Sequence, residues 1–511
     1  MKKGSCYMRV CLINPILFSF QRVRSRTMKN NIGMSFFPPL GLCYIATMLE
    51  RNGFKVKIID RNALMTKHNA NCFTVDEITR SEIAQFKPDI VGITSTTAAF
   101  FDVNANILGM IKSIDKNIVT VLGGSHASAC PEDILSKYKD IDIVCRGEGE
   151  ITMLEIAKGN KLAGIHGISY RDSVGIRSNS DRDSYPNIDD LCFPARHLVD
   201  MSFYCRGNPY VLHGLYARAT TIFTSRGCAF DCSFCAGKVA VGRKVRFQAL
   251  DLVIEEIERL IKDYRVEGIY FADDMFDINK QRADMICEKL IEKGLHKKIR
   301  WYPQLRASSI EKKRIELMKK AGAVRADIGF ESGSQRTLDT INKRTTVEQN
   351  YNAARVLHEA GLQFQANIIV GIPGETEDDI KATEAMVRAI KPHWIGFGEF
   401  IPLPGSRLYR DLLNKGLLTS ESAESLAPQN FTNMDNCTVE KYIKHIRNRI
   451  VIPTRIKSYL IYNWRKPGAY AYMLRLIGKM LLDYGKSMIK KQRESPAQGD
   501  DGSQLPERQN V

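Results

Sequence analysis

The sequence predicts an α/β protein with an N-terminal doubly wound parallel sheet, a partial (β/α)6 barrel and a C-terminal helical extension. Three observations carry this. A chain of 511 residues exceeds what one ordinary core accommodates. Short β-rich runs alternate with amphipathic helical stretches twice, once up to about residue 159 and again from about residue 216. A turn-rich interval without sustained periodicity, 160–215, separates the two series. The expected organisation is therefore 8–159, a linker at 160–215, a barrel at 216–410, a basic helical region at 411–493 and a disordered tail at 494–511.

The first strand is read at "MRVCLIN", followed by the helical "GLCYIATMLERNG", which stops at Gly53. The runs "KVKIID", "DIVGITST", "IVTVLGGSH" and "DIVCRGEGE" complete the series, and ligands of such sheets sit at the carboxyl ends of the strands. In the interval, "GISYRDSVGIRSN" reads as a small hairpin. The second series has strands at "TTIFTSR", "GIYFADD", "IRWYPQLRAS", "RADIGFES", "QFQANIIVGIPGE" and "HWIGFGEFIPLPG", with helices such as "DLVIEEIERLIKDY" between them. Barrels of this kind place chemistry at the strand C-termini.

No window has the ~18 consecutive apolar residues of a membrane span. The N-terminal "VCLIN" is too short for a signal peptide and reads as a buried strand. Thirteen cysteines, an odd number, ten of them scattered, argue for reduced thiols and a cytoplasmic protein. The net charge of +17 is uneven: residues 439–495 hold fourteen Lys or Arg against three acids, a net of +11. Basicity concentrated in one segment does not point to nucleic acid. It reads as a solvated or packed helical face, with a cap over the opening that six strand–helix units leave, or contact with an anionic membrane surface or acidic partner, as the functional alternatives.

The stretch "TSRGCAFDCSFCAGK", residues 224–238, packs Cys228, Cys232 and Cys235 into eight positions. Three thiolates on one loop can hold a metal centre, because thiolates are soft and anionic. Structural zinc needs a fourth ligand, for which Cys192, His197, Cys205 and His213 are conceivable. A [4Fe–4S] cluster on three cysteines leaves one iron with an open position. Coincidental core thiols are the third reading.

The CxxxCxxC spacing, with Phe234 directly before the third cysteine and a strand starting a (β/α) series before the loop, resembles the radical S-adenosylmethionine (SAM) superfamily. The resemblance implies a [4Fe–4S] cluster on Cys228, Cys232 and Cys235 whose open iron is chelated by SAM, and reductive cleavage of SAM to a 5′-deoxyadenosyl radical. It places Asp273 and Asp274 of "FADDMF" at the SAM amino group, although either could instead cap the following helix. Arg306 of "QLRAS" would meet the SAM carboxylate, or form a rim salt bridge. "GFESGS" resembles the segment near ribose and methionine, with Glu331 and Ser332 as hydrogen-bonding groups. "NIIVGIPGET" resembles the adenine-contacting segment, through Gly371, Ile372 and Pro373.

Upstream, "VGITSTT", "VLGGSHASACPEDIL" and "DIVCRGEGE" resemble the cobalamin-binding domain that precedes the barrel in many of these enzymes. No D-x-H-x-x-G is present, so a histidine donated to cobalt is not indicated. Carried over, Ser95, Thr96, Gly123, Gly124, His126, Gly147, Glu148, Gly149 and Glu150 would line the site of the nucleotide tail. His126 reads as a tail contact, a structural hydrogen bonder or, last, a cobalt ligand. A Rossmann nucleotide domain competes, but no GxGxxG follows a strand.

The resemblance, to the cobalamin-dependent radical SAM enzymes, spans roughly residues 8–410 and includes C-methylases and the anaerobic magnesium-protoporphyrin monomethyl ester cyclase. It implies a small-molecule substrate and an electron donor such as flavodoxin or ferredoxin. The expected reaction is methylation of an unactivated carbon, with oxidative cyclisation or rearrangement as the alternative. A zinc-stapled or cobalamin-sensing protein is the non-enzymatic reading.

Overall fold

A computed structural model describes residues 8–17, 37–67, 72–97, 100–183, 187–419, 429–471 and 473–474. The expected disordered tail and the end of the basic region, 475–493, lie outside them.

The first sheet contains β1 (Arg9–Asn14), β2 (Lys55–Asp60), β3 (Ile90–Thr94), β4 (Val119–Gly123) and β5 (Ile143–Cys145), all parallel, in the order β2-β1-β3-β4-β5. The inner strands β1, β3, β4 and β5 are compact, largely apolar runs because helices cover both faces, whereas the edge strand β2 begins with exposed Lys55. Cys11, Ile13, Val91 and Leu122 pack into one core, and Val10, Leu12 and Val121 into the other. Strand order reverses beside β1, which opens a crevice at the carboxyl ends of β1 and β3. The hairpin read in the linker is present as β6 (Ile168–Arg171) and β7 (Ile176–Ser178), and it extends this sheet antiparallel to β5.

The second sheet begins with an antiparallel pair, β8 (Gly207–Leu212) and β9 (Leu215–Ile222), of which β8 has no counterpart in the sequence reading. A two-residue ribbon follows, β10 (Ser225–Arg226) with β11 (Arg246–Phe247). β12 (Gly268–Phe271), β13 (Arg300–Arg306), β14 (Arg325–Glu331), β15 (Gln363–Val370) and β16 (Trp394–Glu399) then continue in parallel from β9. The six strand–helix units are those expected. In the helix Leu250–Tyr264 the buried Val253, Ile254, Ile257 and Leu260 recur at helical spacing and face the sheet core.

Six parallel strands do not close a barrel, and the gap between β16 and the β8–β9 hairpin is crossed by the helix Ile452–Asn463. Arg455 donates to the Ile395 carbonyl at 2.6 and 2.9 Å. Asn463 donates to the Gly214 carbonyl at 2.7 Å and accepts from the Tyr216 amide at 2.8 Å. The basic region therefore ties the two free edges of the barrel together. Below, the Tyr270 and Tyr302 rings stack at 4.5 Å and His213 lies against Tyr302, filling the base.

Candidate active site

The cysteine loop leaves the end of β9 under constraint. Gly227 has φ +96°, and a Cβ there would fall 2.4 Å from the Lys244 carbonyl oxygen, so only glycine fits. The loop is then pinned from outside. The Ser233 amide donates to the Ile341 carbonyl at 2.8 Å, and Asn342 Nδ2 to the Asp231 carbonyl at 2.7 Å. So held, Cys228, Cys232 and Cys235 open onto one cavity of about 240 Å³ at the carboxyl ends of β12–β15.

Arg306 forms one wall. Its guanidinium lies 4.0 Å over the Phe230 ring, and Nη1 is 3.8 Å from Cys232 Sγ. Nε and Nη2 are buried and have no partner among the described residues. A buried guanidinium with two unmet N–H groups suits an anion such as a carboxylate. Among the described residues Arg306 forms no salt bridge.

The adjacent aspartates divide. Asp273 is fully buried and accepts from the Thr224 and Ser225 amides at 2.6 and 2.8 Å and from the Thr224 hydroxyl at 2.6 Å. It clamps the start of the cysteine loop and does not line the cavity. Asp274 does. It is reached by water there, while the protein mass around it raises its carboxyl above the usual range. An ammonium group is its natural complement.

Glu331 lines the cavity with φ +62°, beside a register shift in β14, and pairs with Lys343 at 2.6 Å. A Cβ on Gly329 would lie 2.3 Å from Glu331 Oε1, so a side chain there would displace this pair. Ser332 is buried behind it, hydrogen-bonded to Thr383 at 2.9 Å. Gly371, Ile372 and Pro373 do not line the cavity. Ile372 is buried in a small core against which the cavity-lining Phe234 packs, and the Gly371 amide donates to Glu375 at 2.7 Å.

The conceivable zinc ligands stand elsewhere. Cys205 is in the main core, Cys192 takes a hydrogen bond from Arg51, His197 faces Glu50, and His213 sits at the barrel base. Among the described residues no three His, Cys, Asp or Glu converge on a single ion. The donor set of the cavity is three thiols of one loop, which suits a multinuclear sulfide cluster.

A second cavity of about 250 Å³ lies at the reversal of the first sheet. Gly123, Gly124, Gly147, Glu148, Gly149 and Glu150 line it, together with Gly92 and Thr94. A Cβ on Gly92 would meet Leu12 at 2.9 Å, and one on Gly124 the Ser95 carbonyl at 2.5 Å. Gly92 thus leaves room between β3 and the Leu12 side chain that also lines the cavity, while Gly124 lets its turn pack closely on the Ser95 backbone. Ser95, Thr96 and His126 do not line it. Ser95 is buried, its carbonyl accepting the His126 amide at 3.1 Å; Thr96 is exposed; the His126 ring is buried 4.5 Å from that of Phe100.

The carboxylates of "RGEGE" are engaged by the barrel. Arg226 reaches Glu148 at 2.9 Å and Glu150 at 2.8 Å, and Arg246 reaches Glu148 at 2.6 Å. Burial alone would lower the Arg226 guanidinium, but the two carboxylates more than offset it and hold it above its usual range.

Several residues of the cavities escaped the sequence reading: Arg226, Phe230, Lys238, Asp327, Lys343 and Asn367. Asp327 accepts from Asn367 at 2.6 Å, and burial pushes its carboxyl up to about 7. Polar residues at alternate positions of "RADIGFE" and "QANII" are the signal that was available for Asp327 and Asn367, because strand alternation turns them into the barrel.

Residues 222–387 match the Radical SAM superfamily, and residues 34–157 the B12 binding domain. An uncharacterised methyltransferase of Pyrococcus horikoshii is 34% identical over 390 residues, 75% of this chain and 80% of that protein. The anaerobic magnesium-protoporphyrin IX monomethyl ester cyclase of Rubrivivax gelatinosus is 30% identical over 388 residues, 74% and 67% of the two chains. In fold the chain is similar to the cobalamin-dependent S-adenosylmethionine radical enzyme OxsB, with a TM-score of 0.65 at 20% identity over 94% of this chain and 72% of that one. The chain belongs to the cobalamin-dependent radical SAM enzymes, whose cofactors are SAM, a [4Fe–4S] cluster and cobalamin.

Proposed function

We propose that this enzyme transfers a methyl group to an unactivated carbon of a small-molecule substrate. The observation that supports this most is the adjacency of the two cavities. The helix Gly237–Val241, immediately after Cys235, presents Gly237 and Lys238 to the cysteine cavity and Ala240 and Val241 to the glycine-lined one. One five-residue helix thus separates the two sites, so groups held in both can act on a substrate placed between them.

When bound, the cofactors supply hydrogen-atom abstraction and methyl donation; the protein supplies position. Cys228, Cys232 and Cys235 would hold the cluster, Arg306 the carboxylate of SAM and Asp274 its amino group. Glu331, fixed by Lys343, offers a carboxylate to the hydroxyls of the ligand. Asp273 and Ser332 act one layer behind, shaping the loops that carry these groups. Gly123, Gly124, Gly147 and Gly149 would let the cobalamin tail approach the backbone. Reduction would come from a small electron carrier of the flavodoxin or ferredoxin class.

Oxidative cyclisation or rearrangement is the second reading, favoured by the cyclase among the relatives. Turnover with SAM carrying an isotope-labelled methyl group separates the two. Label in the product supports methylation; an unlabelled, dehydrogenated or rearranged product sinks it and supports the second.

A further inference from the structure

The helix that ties the barrel edges together has a second face. Ile452, Ile456, Leu460 and Trp464 follow one another at intervals of four and are 43, 55, 41 and 61% exposed, with Ile461 beside them at 49%. On a helix this spacing makes one continuous stripe. Its inner face is already spent on Ile395, Gly214 and Tyr216, so the stripe is not needed for folding. Soluble surfaces scatter large apolar side chains; a contiguous row of them marks a contact surface.

The charges around the row define the partner. Between Lys441 and Leu474 the chain has eight Lys or Arg and no Asp or Glu. Arg449, Lys457 and Arg465 are exposed along the stripe itself. A second copy docked across a two-fold axis would set this basic stripe against itself. The chain's own residues 475–493, with six Lys or Arg and one Asp, would repel it likewise. An anionic lipid surface complements both features, accepting the aliphatic side chains and Trp464 at the headgroup boundary and the cations among the phosphates. No helix among the described residues is long and apolar enough to cross a membrane, so contact would be in the plane of the surface.

We propose that the outer face of Ile452–Asn463 is a peripheral membrane-docking surface selective for anionic bilayers. The test is co-sedimentation of the full-length protein with phosphatidylcholine vesicles and with vesicles containing phosphatidylglycerol. Binding to the anionic vesicles alone is expected, falling at least ~10-fold as salt is raised to about 0.5 M. The double variant Ile456→Glu/Trp464→Glu should lose binding by at least ~10-fold. Both positions are exposed, so the variant should unfold at the same temperature as the parent and give the same circular dichroism. Lys457→Glu should weaken binding without abolishing it. Failure to sediment with anionic vesicles, or equal binding by the double variant, overturns the proposal. So does self-association that the double variant abolishes in the absence of any vesicle binding.

Discussion

Arg226 Nη2 lies 2.8 Å from Glu150 Oε1, and the two residues belong to different domains. Arg226 is two positions before the first cysteine, while Glu150 opens the helix that follows β5. With Glu148, Arg246 and the Tyr44 ring, over which Arg226 lies at 5.0 Å, they form a nearly dry ionic junction. The loop that carries the cysteines is thereby referenced to the domain beside it.

Removing one partner of this junction leaves a buried charge unmet. Arg226→Ala should destabilise the protein by about 3 kcal/mol. Arg226→Met combined with Glu150→Gln should recover part of that loss, since the uncompensated charge shrinks. Chemical denaturation of the cofactor-free protein measures both. Equal stability of Arg226→Ala and parent would show that the junction contributes nothing.

Each cysteine is expected to be indispensable to the cluster and dispensable to the fold. Cys228→Ala, Cys232→Ala and Cys235→Ala should reconstitute anaerobically with little iron and sulfide and form no 5′-deoxyadenosine with SAM and reductant. Circular dichroism should be unchanged, because the three side chains face a cavity rather than a core. Retained cleavage in all three variants would overturn the assignment.

Arg306→Gln should keep its iron and weaken SAM binding by ~10-fold or more, the value of a lost charge-assisted hydrogen bond. Iron content and calorimetric SAM affinity, measured on the same sample, separate this from a general loss of structure. Parallel loss of iron and affinity would mean that Arg306 supports the loop instead.

The neighbouring aspartates should fail in opposite ways. Asp274→Asn should fold normally and bind SAM at least ~10-fold more weakly, because it loses the charge facing an ammonium. Asp273→Asn should lower stability by about 1–3 kcal/mol, since an amide cannot accept from both amides and the hydroxyl at once. Thermal melts and SAM titrations of the two variants give the comparison.

Glu375 predicts a pH dependence. Burial pushes its carboxyl up to about 7, against the accepted Gly371 and Ile372 amides, which act the other way. A carboxyl raised in the folded state binds its proton more tightly there than when unfolded. Its contribution is therefore full below about pH 4.5 and falls as pH rises to about 7, by at most about 1.4 kcal/mol per unit. Glu375→Gln should flatten that decline in denaturation curves of the cofactor-free protein; an unchanged slope would assign it to other groups.

Much of this was present in the sequence. Both strand–helix series, the six barrel units and the cysteine loop are local patterns, because strand alternation, helix periodicity and ligand spacing depend only on near neighbours along the chain. Cys228, Cys232, Cys235, Asp274, Arg306 and Glu331 accordingly face one cavity at the strand ends from which they were read. The identical chemistry of Asp273 and Asp274 could not be told apart that way. In the loop after β12 one is turned toward Thr224 and the other into the cavity, a difference set by tertiary contacts. Glu148 and Glu150 look like ligand-binding groups in a glycine-rich turn, and only the docking of the barrel brings Arg226 and Arg246, some eighty to a hundred positions away, onto them. The basic C-terminal region shows the same division. Its charge is a property of composition, whereas which face of Ile452–Asn463 closes the barrel and which faces solvent is decided by packing against β9 and β16, contacts that no local pattern encodes.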